Sequence, residues 1–161
     1  MDQLDASFIR PFVDGTVNTL NVSCNIKAVH AKPFIKGTVP QPSFDIAGVI
    51  GLTSQKFTGS ITICFPSIVF LTIMSNMLGE KYTAINKDLQ DGAAELLNMI
   101  FGHAKAVLNQ QGHTIQKAIP TVIAGTDLQT SHTSKGKVMV LPFKTEVGEF
   151  HIEISTAENL S

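Results

Sequence analysis

The chain has 161 residues, 43% of them hydrophobic and 16% charged, with a formal net charge of -1. That length suits one ordinary domain spanning 1–161, which buries roughly two-thirds of its unfolded surface and so holds together without disulfides or a structural metal. Near-neutral charge and a single arginine, Arg10, exclude a nucleic-acid-binding face, which needs clustered Lys and Arg, and the apolar run around Ile68–Met74 is far short of the about twenty residues that span a bilayer.

The opening MDQLDASFIR is acidic and polar, unlike an export signal, and points to the cytoplasm. Cys24 and Cys64 lie in no C-x-x-C motif and are expected as buried, reduced thiols. In chain order, Asp5–Leu20 carries Phe8, Phe12, Val13, Val17 and Leu20 at helical spacing, interrupted by Gly15. Val22–Lys36 reads as extended, because Val22, Cys24 and Ile26 alternate with polar residues, with Pro33 confining part of it to a sheet edge. Phe44–Leu52 and Ser60–Phe65 predict a hairpin. Pro66 opens a helix to about Leu78, closed by Gly79.

The strongest helical pattern runs from about Asp88 to Gln111 and stops at Gly112. Extended segments follow at Thr114–Ala124, Lys137–Phe143 and Glu149–Ser155, with Gly125–Gly136 as an exposed loop. Helix, three strands, two helices, three strands predicts an α+β fold, a mostly antiparallel sheet with long helices on one face. Helix followed by strands occurs twice, which suggests a faint internal duplication.

Within the long helix, at about 100° per residue, Asp91, Glu95, Asn98 and Gly102 fall in a stripe about 60° wide, apart from the apolar arc of Ala93, Leu97, Phe101, Ala104 and Leu108. Helix stability does not select that stripe. Like charges at i,i+4 cost roughly 0.2–0.5 kcal/mol, and a mid-helix Gly costs about 1 kcal/mol against Ala. No Lys or Arg stands three or four residues after Glu95. Local rules broken together along one face mark a functional surface, against the plainer reading of an exposed helix whose Asp91 favours the positive end of the dipole. His30, His103, His113, His132 and His151 show no metal-ligand spacing, so no metal site is expected. Nucleophile elbows and Gly-rich phosphate loops are missing as well.

Asp91, Glu95 after three intervening residues, Asn98 after two more, and Pro120 about twenty residues on together resemble the signature of the CheC/CheX/FliY phosphatases. The segments FIRPF, DIAGVIGL, GSITICF, SNMLGE and ELLNMIFGHAKAVL also resemble CheX segments in order. The motif occurs once, and Asp14 and Asn18 of the first helix do not match it, so the resemblance is to CheX rather than to two-site CheC. It implies a phosphatase acting on the aspartyl phosphate of a CheY-like response regulator in chemotaxis or another two-component pathway. Asn98 would orient the attacking water and Glu95 would pair with a receiver lysine, with Asp91, Gly102 and Pro120 on the partner-binding face. Mg²⁺ would come with the receiver and no cofactor with this chain. It also implies a homodimer, here through strand pairing. A receiver-binding or dimerisation module of the same fold without hydrolysis is the alternative.

Overall fold

Phe8, Phe12 and Leu20 recur on one side of the first segment, and in a computed structural model of the chain they are carried fully buried into the core by a helix, α1, at Ala6–Cys24. The structure describes residues 6–40, 42–117, 119–131 and 137–158. The expected start at Asp5 lies outside them. The helix runs past Leu20, correcting the extended reading of Val22–Cys24: Cys24 is buried four residues after Leu20, and Asn25 takes the left-handed conformation (φ 51°) that ends helices. Alternation over Val22, Cys24 and Ile26 mimicked a strand, but a helical i,i+4 pair buried both Leu20 and Cys24.

What remains of the expected first strand is two short pieces, β1 at Val29–His30 and β2 at Phe34–Ile35, on either side of Pro33. The hairpin forms as β3, Phe44–Thr53, and β4, Phe57–Phe65. Ser54 closes its turn by accepting the backbone N–H groups of Lys56 and Phe57, each at 3.1 Å. Helix α2 spans Ser67–Leu78, with Pro66 as N-cap and Gly79 at φ 75° closing it. Pro66 offers no capping side chain. Asp45 of β3 does so instead: its Oδ2 accepts the Ser67 backbone N–H at 2.8 Å and the Ser67 hydroxyl at 2.9 Å.

Helix α3 spans Lys87–Gln110, within a residue of expectation at each end. Two strands, β5 at Gln116–Lys117 and β6 at Thr121–Leu128, replace the single expected segment, and then come β7 at Val138–Thr145 and β8 at Gly148–Glu158. Gly125–Leu128 therefore belongs to a strand, not to the predicted loop, while 132–136 of that loop lie outside the described residues.

All pairings are antiparallel, in the order β1-β7-β8-β4-β3-β5, with β2 also on β7 and β6 also on β3. Exchanging β1, β2, β3 and β4 for β5, β6, β7 and β8 reverses this order onto itself. The duplication suspected in the sequence is thus a two-fold relation about the central β4–β8 pair, with α1 against α3 and α2 as an addition. The three helices share one core with Ile46, Ile50, Ile61, Ile63, Phe65, Ile152 and Ile154 of the sheet. Truncating one such fully buried aliphatic, Leu97→Ala for example, costs about 2–5 kcal/mol. On the opposite face a small cluster of Phe44, Ala47, Cys64 and Leu128 is partly covered by the segments after β2 and β6. Among the described residues, no helix is long and apolar enough to cross a membrane.

Candidate functional site

Helix α3 is positioned from both ends. Asn86 Oδ1 accepts the Leu89 backbone N–H at 2.9 Å, and Asp88 sits in the first turn where the dipole favours an acid. At the far end Asn109 Oδ1 accepts the Ile115 N–H at 2.8 Å, and Gly112 takes φ 90°. Leu89, Ala93, Leu96, Leu97, Ile100, Phe101, Ala104 and Leu108 are buried, so the helix is seated along its length.

Opposite that seam, Asp91, Glu95 and Gly102 are exposed and Asn98 is half-buried. The structure therefore brings four of the sequence-derived candidates onto one outward ridge. Pro120, half-buried, lies in the connection entering β6, a strand in contact with α3. Among the described residues Glu95 forms no ion pair or hydrogen bond, and nothing in its surroundings shields its charge from solvent. The ridge crests a surface helix, so its side chains project outward, a shape suited to entering another molecule's cleft rather than enclosing a small substrate.

Two glycines of α3 separate packing from docking. A methyl group at Gly92 would stand 2.5 Å from the sulfur of the buried Met74 side chain of α2, which would have to shift to admit it. A methyl at Gly102 would meet nothing within 4 Å. Among the described residues nothing demands glycine at 102, although it costs the helix about 1 kcal/mol against alanine.

Two features escaped the sequence reading. Asp45 caps α2 across 22 residues and also accepts the Asp127 N–H at 3.2 Å. The Ser67 backbone N–H is the main cause holding its carboxyl below the usual pKa; burial opposes it, and the Ser67 hydroxyl and the Asp127 N–H add to the lowering. The second feature is a polar cluster on the helix-free face. His151 and Glu153 are two apart on β8 and so share a face, with Cys64 of β4 directly opposite His151. The lack of metal-ligand spacing among the histidines therefore conceals a convergence of Cys64, His151 and Glu153, whose ligand atoms lie within 4.8 Å of one another. The period-two pair His151-x-Glu153 was the available signal.

Comparison with known proteins agrees with the architecture. The family described as chemotaxis phosphatase CheX matches residues 46–144. The CheY-P phosphatase CheX of Thermotoga maritima is 26% identical over 157 residues, 95% of this chain and 99% of that protein. The crystal structure of chemotaxis protein CheX from Vibrio vulnificus superposes with a TM-score of 0.89 at 32% identity, covering 94% of this chain and all of the other. The CheX-CheY-BeF3-Mg²⁺ complex from Borrelia burgdorferi contains a chain of the same fold, with a TM-score of 0.79 at 20% identity, covering 94% and 98%.

Proposed function

The chain belongs to the CheX family of chemotaxis phosphatases, and from that premise we propose that it hydrolyses the aspartyl phosphate of a CheY-like response regulator. The observation that carries this reading is the ridge of α3, where an acid without an ion-pair partner among the described residues stands one helical turn from an asparagine, beside a glycine open to solvent.

Phosphoryl transfer needs positioning and charge stabilisation more than covalent help from the protein. A carboxamide has no useful pKa for base catalysis, but its oxygen accepts and its NH₂ donates in fixed directions. Asn98, carried on a helix anchored along its length, orients a water in line with the scissile P–O bond. Holding the nucleophile in a near-attack geometry removes an entropic barrier from the chemical step. Glu95 pairs with a cationic side chain of the receiver, where closing the interface displaces water and strengthens the attraction. Asp91, Gly102 and Pro120 complete the docking face, with Gly102 admitting the receiver backbone. Mg²⁺ belongs to the phosphorylated receiver, as the composition of the Borrelia burgdorferi complex suggests for its own partners, and this chain contributes no cofactor.

The chain acts as one domain over 1–161, in the cytoplasm where receivers reside, and as a homodimer. Strand β6 supports the last point. It pairs with β3 on one side, most of its residues are exposed, and Ile123 and the neighbouring Ile119 present apolar surface. Open edges of this kind tend to pair.

The test is single-turnover dephosphorylation of a phosphorylated receiver by saturating protein, compared between the unaltered chain and Asn98→Ala. Loss of hydrolysis with retained receiver binding supports the reading. Equal hydrolysis by the variant removes Asn98 from the chemistry, and binding without hydrolysis by the unaltered chain makes the protein a receiver-binding module.

A further inference from the structure

On the sheet face turned away from the helices, we propose a binding site for a borderline divalent transition ion, Zn²⁺ foremost, formed by Cys64 Sγ, His151 Nε2 and the Glu153 carboxylate. The three come from the central strand pair: Cys64 opposes His151 in register, and Glu153 follows on the same face. All three residues are buried, Glu153 to 1% exposure. His151 Nε2 lies 3.1 Å and Cys64 Sγ 3.9 Å from Glu153 Oε2. Ligand-to-ligand separations around tetrahedral zinc are about 3.3–3.5 Å, from bonds of about 2.0 Å to N and O and 2.3 Å to S. The two separations from Glu153 Oε2 lie within a few tenths of an ångström of those values, and Cys64 Sγ lies within 4.8 Å of His151 Nε2, so the thiol and the imidazole close on the ion as it binds. A thiolate, an imidazole and a carboxylate favour zinc-like ions over Mg²⁺ or Ca²⁺, which select oxygen donors.

The cluster already holds a cation. Lys36 Nζ is 2.8 Å from Glu153 Oε1 and 2.5 Å from the Thr130 carbonyl oxygen, and the Thr130 hydroxyl donates to Glu153 Oε2 at 2.6 Å. A buried carboxylate needs such compensation. The Lys36 side chain is nonetheless 21% exposed and borders a concavity of about 350 Å³, which reaches His151 and Glu153 from solvent. The ammonium thus has a route out and an ion a route in. Metal binding releases the thiol proton. Without metal, burial and then the charge of Glu153 raise the Cys64 pKa above its ordinary value, so the metal-free cysteine is the thiol. The site is separate from the α3 ridge and supplies nothing to hydrolysis.

The test uses the full chain, stripped of metal by chelation and dialysis, and titrated with Co²⁺ as a spectroscopic stand-in for zinc. One equivalent is expected to bind with a thiolate-to-cobalt charge-transfer band and the strong visible bands of tetrahedral cobalt. Zn²⁺ should displace it and raise the Tm, because an ion that binds only the folded state stabilises it. Cys64→Ser should abolish the thiolate band and weaken binding by at least about 10-fold. Lys36→Ala should tighten binding, because it removes the competing ammonium. Should Cys64→Ser fail to fold, the Lys36→Ala comparison and the cobalt spectrum of the unaltered chain still decide. An octahedral spectrum without a thiolate band, or equal affinity with and without Lys36, overturns the site.

Discussion

Gly102→Ala moves stability and function in opposite directions, which makes it the sharpest test of the ridge. The added methyl meets nothing within 4 Å, so no packing penalty opposes the helical preference for alanine. α3 should gain about 1 kcal/mol. For a chain of 161 residues that raises Tm by about 2–4 °C. If the receiver backbone docks on this ridge, the same methyl enters a close-packed interface, where overpacking costs about 1–3 kcal/mol. kcat/KM for dephosphorylation should then fall about 5- to 150-fold. The loss should be recovered by raising the concentration of whichever protein is in excess, because docking rather than the chemical step is impaired.

Calorimetry and single-turnover dephosphorylation over a range of concentrations read the two effects. Gly92→Ala is the contrast. Its methyl would lie 2.5 Å from the Met74 sulfur, so Tm should fall. A Gly102→Ala protein that is more stable and has unchanged kcat/KM would remove Gly102 from the docking face, and a lower Tm would refute the account of its surroundings.

Asn98→Ala should lower the saturated hydrolysis rate by at least about 10²-fold, roughly 2.7 kcal/mol of barrier, while receiver affinity measured by titration changes little. Glu95→Ala should weaken receiver binding, and the deficit should shrink as ionic strength rises from low to about 0.5 M, because screening attenuates the lost charge pair. Asp45→Ala removes the cap of α2 and should cost about 1 kcal/mol in urea unfolding at pH 7. The Asp45 pKa is lower folded than unfolded, so its contribution is present above the ordinary value of 3.8 and is lost as pH falls through the folded value; the difference between variant and parent should therefore fade in strong acid. Light scattering at micromolar concentration should give a dimer, and Ile123→Lys on the open edge of β6 should shift it toward monomer.

The elements legible in the sequence were those whose burial repeats over many turns. α3 has eight buried residues on one arc, and both its ends carry local signals, so its bounds could be read to a residue. β6 could not be read in this way. Most of its residues are exposed, so no alternation is imposed on it, and Gly125 and Asp127 look like turn formers. Asp127 indeed takes φ 52°, near the register shift between Phe44 and Ile46 on the partner strand. The α2 cap and the Cys64–His151–Glu153 cluster were hidden for another reason. They join residues 22 and 87 or more positions apart, which only strand pairing brings together. The ridge of α3 was readable as a breach of helix rules, but its meaning depended on learning that Gly102 faces open space while Gly92 does not.

The two-fold relation of the sheet places α1 and α3 in equivalent positions, so the restriction of the motif to α3 calls for a physical distinction between them. The exposed acids supply one. On α1, Asp14 has Arg10 one turn earlier, with Nε to Oδ2 at 3.8 Å, an exposed i,i+4 pair worth a few tenths of a kcal/mol. A receiver lysine approaching Asp14 would have to displace that partner and meet the like charge of Arg10. On α3, Glu95 has no ion pair among the described residues, and Lys and Arg are missing at the following helical positions, so a cation arriving from another protein meets no competitor. Asparagine placement differs as well: Asn98 follows Glu95 by three residues and Asn18 follows Asp14 by four, so each shares its acid's face but the two carboxamides lie on opposite sides of their acids around the helix. Among the described residues the crest acid of α3 has no ion pair while that of α1 has one, which is the difference expected if the proposed docking ridge is confined to α3.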